Sequence, residues 1–146
     1  MFNGRHALNL DAKGRLAVPT RFREKLIASC GGYVVLTQHP YDPCLSLYPE
    51  PRWEEIADQV AALSDASGAA RALKRRFLGQ AVDMELDGSG RILIPAELRS
   101  LVALEKAAML VGQMHRFEIW SAEGWEEQMK QELTDGLPDE ALALSF

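Results

Sequence analysis

Side chains that hold metals or carry electrons are scarce in this chain. Its 146 residues include two cysteines, Cys30 and Cys44, and three histidines, His6, His39 and His115. Neither cysteine sits in a Cys-x-x-Cys pattern and the histidines are scattered without ligand spacing, so no zinc or dithiol motif is present. A phosphate loop is missing too. Gly88-Ser89-Gly90 sets a serine between glycines but lacks the rest of a nucleophile elbow. These absences argue against an enzyme and against any required cofactor or metal. No apolar run approaches the roughly 18 residues of a membrane span. The start, Met1-Phe2-Asn3-Gly4-Arg5, has no apolar leader core, so a cytoplasmic chain is expected, with both cysteines free and serving as small apolar residues.

What the chain does have, it has twice. Leu10-Asp11-Ala12-Lys13-Gly14-Arg15-Leu16-Ala17-Val18-Pro19 returns as Leu86-Asp87-Gly88-Ser89-Gly90-Arg91-Ile92-Leu93-Ile94-Pro95, and Arg23 and Arg99 extend the match. Cys44-Leu45-Ser46-Leu47-Tyr48 with Trp53-Glu54-Glu55 returns as Arg116-Phe117-Glu118-Ile119-Trp120 with Trp125-Glu126-Glu127. A unit of roughly 45 residues buries too little surface to stand alone, so two copies sharing a core are the first expectation. The aromatic residues Tyr48, Trp53, Trp120 and Trp125 recur at equivalent places after apolar strands, which favours packing over base stacking.

Each copy reads as strand, strand, helix, strand, strand. In the first, Gly4–Leu10 and Arg15–Val18 flank the turn Asp11-Ala12-Lys13-Gly14 and are expected to pair as a hairpin. Asp can bond its own backbone two residues on, and Gly takes positive φ without steric cost. Pro19 then starts the helix Thr20–Ser29, with Phe22, Leu26 and Ile27 on its inner stripe. The expected divisions are 4–52 for the first repeat, 53–80 for a helical linker, 81–125 for the second repeat, and 126–146 for a C-terminal helix and tail.

Net charge is −5, but it is unevenly spread. Residues 1–30 carry Arg5, Lys13, Arg15, Arg21, Arg23 and Lys25 against Asp11 and Glu24. The run Arg71 to Arg76 adds four cations and no acid, while the C-terminal third is strongly acidic. A basic face on an acidic body can still attract an anion, because the local field governs encounter. The candidate contact residues are therefore Arg15, Lys13, Gly14 and Arg5 at the first turn and Arg91 at the second. Asp11, Asp87 and Gly90 are read as turn-organising. Each Asp–Arg pair can equally be a turn stabiliser with an exposed ion pair. Arg21, Arg23 and Arg99 read as solvated helix faces. The 71–76 run reads as a solvated face or as a contact for another subunit's acidic helix.

The motifs Met1-Phe2-x-Gly4, Leu10-Asp11-x-Lys13-Gly14-Arg15-Leu16, Cys44-Leu45-x-Leu47-Tyr48-Pro49, Leu86-Asp87-x-x-Gly90-Arg91 and Phe117-Glu118-Ile119-Trp120 resemble those of the MraZ proteins. These belong to the AbrB-like, swapped-hairpin group of bacterial transcription factors. The likeness runs nearly the whole chain. It implies an α+β fold of two pseudo-symmetric AbrB-like ββαββ repeats, forming a swapped-hairpin, β-barrel-like core with peripheral helices. It further implies a ring-shaped homo-oligomer that binds double-stranded DNA at promoter direct repeats near the division and cell-wall gene cluster, in the nucleoid. The DNA-facing loop would be Lys13-Gly14-Arg15, with Arg91 as the second motif. Ser89 departs from a wholly basic pattern there. The competing expectation is an antitoxin-like or scaffold module whose hairpins hold a protein.

Overall fold

The computed structural model describes all 146 residues as a mixed α+β fold. In the first repeat, strands β1 (Phe2–Asn9) and β2 (Arg15–Ala17) precede helix α1 (Thr20–Cys30), and β3 (Tyr33–Gln38) and β4 (Leu45–Pro49) follow it. Helices α2 (Glu50–Ala61) and α3 (Gly68–Phe77) connect the repeats. The second repeat runs β5 (Val82–Glu85), β6 (Arg91–Leu93), α4 (Ala96–Leu101), β7 (Ala107–Met114) and β8 (Phe117–Ser121), then α5 (Ala122–Glu132) and a short 3-10 turn, Asp139–Ala143.

Pro19, Pro49 and Pro95 stand just before α1, α2 and α4, with φ between −53° and −58°. The ring holds φ near the helical value, so each proline launches a helix directly out of a strand. Helix α1 stops at Gly31, whose φ of +68° lets its N–H bond Ile27 O while Gly32 N–H bonds Leu26 O. Helix α4 makes the same kind of stop without glycine. Ala103 takes φ +52°, Leu104 N–H bonds Arg99 O, and the helix has six residues against eleven in α1.

The first two strands of each repeat do not pair with each other as the sequence leads one to expect. β1 pairs antiparallel with β7, and β5 with β3, so each repeat's first strand completes the other repeat's sheet. β2 pairs with β6 across the repeats. The outcome is a six-stranded sheet in the order β1-β7-β8-β4-β3-β5 and a separate two-stranded ribbon, β2-β6. Replacing each strand by its counterpart in the other repeat reverses the six-strand order onto itself. The cross-repeat ladders set counterparts opposite one another: Leu16 faces Ile92 and Ser46 faces Glu118. A local hairpin would leave two small half-cores. Exchange lets one core serve both halves.

That core is built from equivalent residues. Leu10 and Leu86, Leu16 and Ile92, Val18 and Ile94, Phe22 and Leu98, Leu36 and Leu110, and Leu47 and Ile119 are all buried in one cluster. Each such side chain contributes about 1.5–3 kcal/mol of burial. Phe2, Phe22 and Phe117 lie with ring centroids 4.5–6.0 Å apart at the centre. Ile27, expected inside, is exposed. On the other side of the sheet, Tyr48, Trp53 and Phe77 form an aromatic cluster under α2 and α3, and Trp120 meets Trp125 of α5 at 5.9 Å. No helix is long and apolar enough to cross a membrane.

Candidate nucleic-acid interface

The two arginine turns share one geometry. Asp11 Oδ1 accepts from the backbone N–H of Lys13 and of Arg15, both at 2.9 Å, and Oδ2 accepts from Arg15 Nε at 2.7 Å. Asp87 Oδ1 accepts from Ser89 and Arg91 N–H at 2.9 Å, and Oδ2 from Arg91 Nε at 3.0 Å. Gly14 and Gly90 close the turns at φ +82° and +74°, a region that side chains with a Cβ enter at a cost. The hydrogen bond from Arg15 N–H holds the Asp11 carboxyl below its ordinary range against mild desolvation, and Arg91 N–H does the same for Asp87. Both turns thus keep their carboxylates ionised under mildly acidic conditions. In each arginine, Nε is committed to its own aspartate. The outer guanidinium nitrogens make no hydrogen bond within the chain.

Pairing of β2 with β6 sets the turns side by side. Ile94 N–H bonds Gly14 O and Val18 N–H bonds Gly90 O, each at 3.0 Å, so each turn is tied to the opposite repeat's strand. Helix residues brace the same crossings. Arg99 lies under Gly14 and donates from Nε to Ile94 O at 3.0 Å; a Cβ on Gly14 would stand 3.0 Å from its guanidinium carbon. Arg23 lies under Gly90 and donates from Nη2 to Val18 O at 3.3 Å; a Cβ on Gly90 would overlap its side chain. Arg23 and Arg99 are therefore half-buried supports of the other repeat's turn, not solvated helix faces. Arg21 is also engaged, donating to Asn3 O at 2.7 Å while its guanidinium covers the Phe22 ring. The spacing of Arg23 and Arg99 marked them as repeated, but only the exchange of strands shows what they hold.

Leu16 and Ile92 point into the core, so the alternation of a strand turns Arg15, Ala17, Arg91 and Leu93 to the outer face of the ribbon. The arginine side chains are 28% and 33% exposed, and Lys13 is exposed on the flank. Arg91 also approaches Asp11 Oδ2 at 3.8 Å, so it faces two carboxylates while Arg15 is bound to one. Leu93, opposite Arg15, is 54% exposed. Arg5 is not brought to this face. It lies on β1 opposite Val111, six residues or about 20 Å of strand from Asp11, and lines a groove with Trp125 and Met129 of α5.

The fold also gathers a buried polar group that the spacing of residues did not reveal. His39 Nε2 is 3.1 Å from Glu118 Oε2, and Trp120 Nε1 donates to Glu118 Oε1 at 3.0 Å. His39 Nδ1 accepts from the backbone N–H of Tyr41 and Asp42 at 3.1 and 3.0 Å. Those two donors reserve Nδ1 as an acceptor, which places the proton of a neutral ring on Nε2 and aims it at Glu118. Burial would raise the Glu118 pKa, but the bonds from His39 and Trp120 reverse that and hold it below the ordinary range. Cys44 shares the cluster, and burial pushes its thiol far up. A cation here would need the Nε2 lone pair, which requires the proton on Nδ1, where two N–H groups already point. The donor set is consistent with a closed hydrogen-bonded pin joining the loop after β3 to β8. No signal in either segment alone could show it, because Glu118 arrives from the other repeat. Cys30 and Cys44 are free thiols, half-buried and buried respectively.

Fold and surface together define a tandem-repeat α+β protein that offers paired arginine turns on an outward ribbon. The chain belongs to the MraZ family. The family model described as "MraZ protein, putative antitoxin-like" matches residues 1–76 and again 77–143. The chain is 53% identical over 146 residues to the Transcriptional regulator MraZ of Alcanivorax borkumensis, covering all of both chains. It is 45% identical over 145 residues to the protein of that name in Pseudomonas aeruginosa, covering 96% of each. Its likeness to one in Shewanella piezotolerans is 50% over 131 residues, 90% of this chain and 86% of that one. Regulation of transcription, the role for which these relatives are named, is not a catalytic one.

Proposed function

We propose that this chain is a sequence-specific DNA-binding transcription regulator that works as a ring-shaped homo-oligomer on promoter direct repeats, of the division and cell-wall gene cluster by family likeness. It would be cytoplasmic and associated with the nucleoid. The observation that carries the reading is the outer face of the β2-β6 ribbon, where the outer guanidinium nitrogens of Arg15 and Arg91 make no hydrogen bond within the chain and Lys13 lies on the flank. The B-DNA major groove, about 12 Å wide, admits a two-stranded ribbon, and an arginine edge matches guanine O6 and N7. In this reading the two repeats, 4–52 and 81–125, form a pseudo-symmetric AbrB-like swapped-hairpin core. Residues 53–80 and 126–146 are peripheral. Asp11, Asp87, Gly14 and Gly90 shape the turns. Arg15 reads a base edge, Lys13 neutralises phosphate, and Arg5 adds to the field without a contact.

One protomer makes two or three phosphate-directed contacts, roughly a slope of −2 to −3 in log K against log salt. Several protomers on spaced repeats add avidity by up to roughly 10²–10⁴ where geometry allows. The antitoxin-like reading is favoured by the family's description and by exposed Leu93, which suits an apolar protein contact. A footprint on DNA upstream of the protein's own gene, repeated across a salt series, separates the two. DNA binding gives protected repeats that vanish steeply with salt. No protection at low salt overturns the proposal.

A further inference from the structure

A groove between α2, α3 and the loop after β3 has no role in the reading so far. Its floor is Ile56, Val60, Leu73 and Phe77, its rim carries Arg52 and Arg116, and its volume is about 230 Å³. That is room for one or two large apolar side chains. Arg52 is paired with Glu55 at 3.0 Å, but the buried Nε of Arg116 has no hydrogen-bond partner. The Arg116 guanidinium makes no hydrogen bond or ion pair within the chain, so its outer nitrogens are available to an acceptor brought from outside. The outer side of α3 adds exposed Arg71, Arg75 and Arg76.

The segment of matching chemistry is in the same chain. Residues 134–146 hold Asp135, Asp139 and Glu140 and no cation. They also hold Leu137, Leu142, Leu144 and Phe146, which are 69%, 77%, 61% and 96% exposed. The tail's own chain leaves this apolar surface in water, and none of these residues lines the groove. We propose that the acidic, leucine-bearing tail of one copy docks in the Ile56–Phe77 groove of a second copy, its leucines on the apolar floor and its carboxylates on Arg116 and the α3 arginines. This rests on the homo-oligomer part of the reading above and is independent of DNA. It gives the tail and the basic run one shared task, in which each exposed surface is covered by the other.

Disulfide trapping in the full chain tests it. In a Cys30→Ser background, Leu144→Cys chains are mixed with Val60→Cys chains and mildly oxidised, while native mass is measured in parallel. The expected product joins one chain of each kind, with a yield roughly tenfold or more above a Leu101→Cys control away from the groove, because docking raises the local concentration. Charge reversal at Asp139 and Glu140 lowers that yield, as does high salt. An oligomeric native mass with trapping no better than the control overturns the docking and leaves the oligomer standing. A chain carrying both Leu144→Cys and Val60→Cys is oxidised alongside, and linkage found only within that chain overturns the proposal in favour of the chain's own tail. A monomeric mass overturns both the docking and the oligomer.

Discussion

The two turns have the same backbone and different electrostatics. Asp11 and Asp87 accept the same three hydrogen bonds, and Gly14 and Gly90 adopt the same handedness. Yet the first turn carries Lys13 where the second has Ser89, and Arg91 faces two carboxylates where Arg15 is bound to one. The support below differs as well. Arg99 crowds the space at Gly14, where a Cβ would stand 3.0 Å from it, whereas Arg23 fills the space at Gly90 outright and keeps a buried Nε without a partner. Duplication thus preserves what shapes a turn while freeing what the turn presents. Shape depends on short-range bonds that any copy must remake. Presentation depends on side chains that can diverge without unfolding it.

The largest effect that would break this comparison is on binding. Arg15→Ala should cost about 1–3 kcal/mol for each engaged loop and relax base preference. Arg91→Ala should cost less, because its charge is more fully matched inside the chain. Fluorescence titration of a promoter fragment against scrambled DNA measures both, and equal losses would remove the asymmetry. Next is stability. Gly14→Ala should cost about 1–2 kcal/mol for the left-handed backbone alone. Gly90→Ala should cost more, since Arg23 must also leave its place; urea denaturation of the two variants gives the order. The smallest effect is that of the flanking cation. Lys13→Ala should weaken all sequences alike and flatten the salt slope by about one, and Ser89→Lys should steepen it by a similar amount if the second turn touches DNA. An unchanged slope for Ser89→Lys would confine contact to the first turn.

Much of this was legible before any coordinates. Pro19 before an apolar helical stripe placed the start of α1. Asp, Gly and Arg at fixed spacing defined the turns, because the bonds that form them lie within five residues. The same locality makes β1 and β2 look like a hairpin with each other. A turn specifies that the chain reverses, but not which strand lies beside it. β1 finds β7 and β5 finds β3 because those edges bury a common core. The support role of Arg23 and Arg99 and the His39–Glu118 pin follow from that exchange, since each joins residues of different repeats.

From residues alone came the duplication, the turn chemistry and the localised positive charge on an acidic chain, since these are properties of neighbours along the backbone. Only tertiary structure decided how the halves interlock, which arginines face out and which brace from beneath, and where Glu118 meets His39. Strand partnership and side-chain burial are set by long-range competition for a shared interior, which no local pattern encodes.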